Sequence, residues 1–150
     1  MTQTRTIAEA LLAALNGSGK PAGVPTAKLW SGIQLEPHDL PARTLAWVNE
    51  SVERAGSTTS PLVRRSVTFI VQDLFAGTGH SALSPQQIAE SARAWSVAAL
   101  ATNTYSGLAI DTVEKSTSWD LEQGEEPYVR VSHEFEVTFT TRTTNAESRA

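Results

Sequence analysis

Apolar and polar positions alternate most clearly over residues 128–142. Val129, Val131, Phe135, Val137 and Phe139 share one parity, while Arg130, Ser132, Glu134, Glu136 and Thr138 share the other. A period of two predicts a strand with one buried face, about 50 Å long at about 3.3 Å per residue. The same period recurs over residues 65–74, where Val67, Phe69 and Val71 form the apolar side. It appears again over residues 44–49, and the β-branched residues of 108–119 predict a fourth strand. Two segments follow the helical period instead. In residues 6–16, Ile7, Leu11 and Leu15 recur every four positions, with Thr6 and Glu9 as a capping box and Asn16-Gly17 as a stop. Ser84-Pro85-Gln86-Gln87 opens a second helix that should run to about Thr102 and bury Ile88, Ala92, Trp95 and Ala99.

The remaining chain is punctuation. Residues 17–41 form a Gly/Pro-rich excursion, expected to hold at most a short strand near 29–35. Leu29, Trp30, Ile33 and Leu35 should lie against the core or a neighbouring subunit. Residues 55–60 read as a flexible tip, 120–127 as an acidic turn and the polar stretch from 143 as a frayed tail. The order α-β-β-α-β-β, with turn-like links inside each strand pair, predicts one α+β domain over residues 1–150. It should have a single antiparallel sheet of about four strands and two helices on one face. Val67, Phe69, Val71, Trp95, Val137 and Phe139 are the expected core layer.

Composition narrows the chemistry. The chain has no cysteine, so disulfide, thiol and cysteine-ligated zinc chemistry are excluded. No run is long and apolar enough for a membrane span, and the N-terminal segment reads as an amphipathic helix rather than a leader. The net charge of −4 gives no global attraction for nucleic acid or anionic membrane. His38, His80 and His133 are isolated from one another, and His133 has the apolar parity of a core or interface histidine. Asp120, Glu122, Glu125 and Glu126 do not follow a calcium-loop order, and Gly77-Thr78-Gly79 lacks the lysine of a phosphate loop. His80 and Ser81, with Asp111, invite a hydrolytic reading, and Glu134 and Glu136 on one strand face could form half of an acid/base pair, though with Arg130 they read better as a polar intersubunit face. The chain is therefore expected to have no catalytic residues, metal or cofactor, and to be no enzyme. Arg64 and Arg65 lead a strand and should point to opposite sides. Trp30 and Trp47 lie outside the clearest core elements, as interface aromatics do. With the polar face of Arg130, Glu134 and Glu136, they form the candidate assembly interface.

The overall order resembles the tail-terminator (tail-completion) proteins of long-tailed bacteriophages. The resemblance runs through Ile7-Ala8-Glu9-Ala10-Leu11-Leu12, Leu45-Ala46-Trp47-Val48 and Arg64-Arg65-Ser66-Val67-Thr68-Phe69-Ile70-Val71. It continues in the helix from Ser84, in Leu108-Ala109-Ile110 and in the closing Phe135-Glu136-Val137-Thr138-Phe139-Thr140-Thr141-Arg142. It implies a structural protein that forms a ring, usually a hexamer, at the head-proximal end of the tail tube. Its partners would be copies of itself, the tube protein and a head-completion or connector protein, with DNA passing through the lumen without specific binding. The location implied is the virion, after assembly in the host cytoplasm. A different head-to-tail joining or neck protein is the alternative.

Overall fold

The computed structural model describes residues 2–32, 41–54, 62–76, 85–122, 128–142 and 145–149. The first helix, α1 (Gln3–Leu15), starts earlier than its apolar period. Thr2 rather than Thr6 is the cap: its hydroxyl accepts the Arg5 N–H at 3.2 Å. Thr6 cannot play that part, because its own N–H already donates to the Thr2 carbonyl at 3.1 Å. The helix ends at the expected Asn16, whose side chain then takes on a second task. Its amide donates to Ala27 O at 3.0 Å and its carbonyl accepts from Ala27 N at 2.8 Å. This two-way clasp mimics a strand neighbour and sets where the short strand β1 (Ala27–Leu29) begins. The strand expected near 29–35 is thus centred earlier, and residues 33–35 lie outside the described part.

Three long strands and one helix follow: β2 (Ala42–Arg54), β3 (Leu62–Ala76), α2 (Pro85–Leu100) and β4 (Asp111–Glu122). The chain ends in β5 (Tyr128–Arg142) and β6 (Asn145–Arg149). One α+β sheet with two helices is therefore correct, and β5 has its predicted limits. The purely antiparallel arrangement of about four strands is not. The sheet runs β1-β2-β3-β5-β4 with β6 paired to β5, and β1 is parallel to β2, so it is mixed. Both expected hairpins, β2–β3 and β4–β5, are antiparallel. Because β5 lies between β3 and β4, those two are parallel and are joined by the crossover through α2.

Several further boundaries differ from the sequence reading: β2 outgrows the expected 44–49 and β3 the expected 65–74 at both ends, and β4 runs on to Glu122, into the expected acidic turn. β4 starts at Asp111 rather than 108, because the preceding loop winds through left-handed backbone at Thr102, Tyr105, Ser106 and Gly107. That path carries Tyr105 and Ala109 into the core instead of continuing a strand. The expected frayed tail contains β6. Since β4 meets β5 no further than Thr138, it leaves the last stretch of that edge of β5 without a partner. β3 occupies the other edge as far as Arg142, so β6 takes the vacant one.

Both helices cover the face that bears the odd positions of β3 and β5. Ile7, Leu11 and Leu15 of α1 share one cluster with Leu45, Val67, Phe69, Val71, Phe135, Val137 and Phe139. Ala89 and Ala92 of α2 join Val24, Phe75, Val129 and Val131 in a second, with Trp95 against it. The Trp95 indole N–H also donates to Leu15 O at 2.7 Å and so ties the two helices together. Val67, Phe69, Val71, Val137 and Phe139 of the expected core layer are in the first cluster, whereas Trp95 is only partly buried and packs against the second.

Candidate assembly surfaces

The interior contains an ionic network that the alternation alone did not reveal. Arg43 is fully enclosed beneath α2, and its Nε donates to Asp73 Oδ1 at 2.7 Å. Its Nη2 reaches Asp73 Oδ2 at 3.2 Å, Ala92 O at 2.9 Å and the Ser96 hydroxyl. His133 Nε2 donates to Asp73 Oδ2 at 3.0 Å. All four side chains are shut off from solvent, so this serine, histidine and aspartate cannot meet a substrate. Ser96 is engaged with Arg43 and with Ala92 O rather than with the imidazole, which leaves no nucleophile–base pair. The signal was present in the sequence. Arg43, Asp73 and His133 each sit at an apolar parity, beside Leu45, between Val71 and Phe75, and between Val131 and Phe135.

Among the described residues, the opposite face of the sheet carries no helix. Its cross-strand rows read Thr44–Gln72–Ser132–Ser118, Ala46–Ile70–Glu134–Ser116 and Ser51–Ser66–Thr138–Asp111. The side chains are short and mostly neutral, and they bond to one another: Ser66 to Thr138 at 3.2 Å, Gln72 to Ser132 at 3.4 Å and Ser116 to Glu134 at 3.2 Å. Among the charged side chains described on it, Glu53, Asp111, Asp120, Glu134 and Glu136 outnumber Lys28, Arg64 and Arg130. The face is mildly acidic.

Exposed apolar groups are confined to the sides of the sheet. Among the described residues the large exposed hydrophobics are Trp30, Trp47, Val48 and Val52 at the β1–β2 side, and Ile110, Val113 and Leu121 at the β4 side. The central strands β3 and β5 and both helices contribute none. Trp30, at 65% exposure, follows β1 and donates its N–H to Leu45 O at 2.9 Å. It forms, with Thr44, Ala46, Trp47, Val48, Ile70 and Gln72, a shallow recess of ≈ 240 Å³. Trp47 also meets Phe69 edge to face, with centroids 6.2 Å apart. Val48 is the extra residue of a bulge, and it reverses the parity of β2. Leu45 and Trp47 before it, and Glu50 and Val52 after it, point to the helix side.

The sequence-derived interface residues are thus divided among three places. Trp30 and Trp47 come together at one edge. Arg64, Arg130, Glu134 and Glu136 share the helix-free face, where Arg130 lies over the Tyr128 ring and 3.9 Å from Asp120. Arg65 turns to the helix side, as expected from its adjacency to Arg64. It is held there by Thr141 Oγ1 at 2.7 Å and Glu50 at 3.4 Å, within the chain. Val52, Val113 and Leu121 were not singled out beforehand. Only Val113 fell in an expected strand; Val52 lay beyond the expected 44–49 and Leu121 in the expected acidic turn, and which strands would be outermost was not legible. His38, His80, Ser81, Glu125 and Glu126 lie outside the described residues, and Asp111 caps the start of β4 by accepting the Thr112 N–H at 2.8 Å. Among the described residues no cluster of acidic and histidine side chains is arranged to hold a metal ion. No helix among them is long and apolar enough to cross a membrane. No family model matches the sequence, and no curated protein matches it either.

Proposed function

We propose that this chain is a structural protein of the tail-terminator kind, which closes into a ring of identical subunits at the head-proximal end of a phage tail tube. The observation that supports this reading best is that, among the described residues, the large exposed apolar side chains lie at two different, opposite edges of one sheet. A ring requires two unlike, complementary surfaces on each subunit, whereas a two-fold dimer requires one self-matching surface. Long edge strands with apolar side chains are normally blunted or covered unless a partner occupies them. The Arg43–Asp73–His133 network, sealed from solvent, acts as core structure and not as a site open to substrate.

In such a ring the helix-free face would turn toward the lumen. Short Ser and Thr side chains with a slight excess of carboxylates suit passing DNA, since lysine and arginine stripes would grip phosphates. The ring would stop addition of tube protein, cap the tail and offer a surface to the head-completion or connector protein. The reading makes a prediction at the level of the particle. When the chain is omitted, electron microscopy should show overlong or unregulated tails. Tails of normal length that stay detached from heads would reassign it as a neck protein, and normal complete particles would refute both roles.

A further inference from the structure

We infer that successive subunits join by extending the sheet, the outer edge of β2 in one copy pairing antiparallel with the outer edge of β4 in the next. The inference rests on the reading that the chain assembles with itself, and it adds which two surfaces meet. Its first support is geometric. β1 covers β2 only at residues 43–45, so residues 46–54 have no outer strand partner among the described residues. β4, from Asp111 to Glu122, is the terminal strand on the other side. Three antiparallel pairings separate these strands, so they run in opposite directions. Placing a second copy beside the first therefore sets β4 against β2 in the antiparallel sense, and unpaired N–H and C=O groups can complete a ladder.

The side chains favour the same joint. Beyond the bulges, helix-side positions are Glu50 and Val52 on β2, and Thr117, Trp119 and Leu121 on β4. One register that keeps the faces matched sets Val52 opposite Thr117 and Glu50 opposite Trp119. It brings Leu121 against the exposed Trp47–Val48 bulge and Ser51 against Ser118. Glu114 and Asp120 are already paired within the chain, to Arg93 at 3.5 Å and Arg130 at 3.9 Å. Lys115, the cation of β4, is exposed and without an ion pair among the described residues. The register sets Ser116 opposite Glu53 and Lys115 at the Arg54 position, so the joint is favoured by its apolar positions and not by a charge pair. A two-fold contact through either edge alone would leave the other apolar edge in water.

The absence of native cysteine makes cross-linking a clean test. Ser51 and Ser118 are exposed, and neither is placed in the core. The double variant Ser51→Cys/Ser118→Cys, treated with a short bis-maleimide, should lose its monomer band to a ladder extending past the dimer. Each single variant should remain monomeric on the gel. Efficient dimers from either single variant would show a two-fold edge contact and overturn the inference. A second experiment does not depend on the register. Val52→Lys and Leu121→Lys should each abolish oligomers in sedimentation, and mixing them should restore dimers and nothing larger, because each retains one intact edge. Oligomers that survive both substitutions would place the joint elsewhere while leaving self-assembly standing. A wild-type chain that stays monomeric at every concentration would remove the ring and the joint together.

Discussion

At the scale of single residues, Asp73 holds the buried ionic group together, since it answers both Arg43 and His133 away from bulk solvent. Removing one member of such a buried ionic group leaves an uncompensated charge, which costs about 3–5 kcal/mol. Asp73→Ala should therefore destabilise the fold by about that amount, measured by urea denaturation. Replacing Arg43, Asp73, Ser96 and His133 together with apolar residues of similar volume should cost less than the single change, because no stranded charge remains. Tyr105 offers a different test. Burial pushes its phenol up from 10.0 to about 12, and the hydrogen bond from Thr112 pulls weakly the other way. The folded state thus keeps the neutral phenol while the unfolded chain ionises it. This contribution to stability is complete below pH 10 and is lost as the pH rises toward about 12. Denaturation curves at pH 9 and pH 11 should differ more for the wild type than for Tyr105→Phe. None of this was visible as chemistry in the sequence. A charged residue at an apolar parity can be an error in the strand assignment or a buried ion, and only Arg43 meeting Asp73 from thirty residues away decides which.

At the scale of elements, periodicity was a sound guide where one face of a segment is buried and the other is not. β5 and the body of α1 obey that condition, and their residues could be assigned from the pattern alone. β1 and β6 could not, because each has few apolar side chains and exists through what another segment leaves open. Asn16 supplies a strand-like edge to Ala27, and β5 supplies a vacant edge to residues 145–149. Asn16→Ala removes both clasping hydrogen bonds and should destabilise the protein by about 1–2 kcal/mol. Exchange of the Ala27 amide should accelerate first, ahead of global unfolding. The bulge at Val48 was equally hidden. Alternation holds on either side of it, but the register changes there, so the pattern of residues 44–49 did not forecast the facing of Val52.

At the scale of the whole molecule, the candidate interface was legible in kind but not in position. Exposed tryptophans and a polar strand face could be named from the sequence, yet β4 was read as an ordinary member of the sheet. Its position at the rim follows from β5 inserting between β3 and β4, a long-range pairing that no local pattern encodes. Arg65 illustrates the converse. An arginine pair at a strand start looked available for binding, and tertiary contacts with Thr141 and Glu50 occupy one of the two.

The same insertion orders events in time. β4 precedes β5 in the chain but has nothing to lie on until residues 128–142 have entered beside β3. A nascent polypeptide that stops after β4 can display the Trp47 rim and cannot display the Leu121 rim. In the proposed ring such a truncated copy would end an arc at one side without bridging it, so ring closure would require copies that include β5.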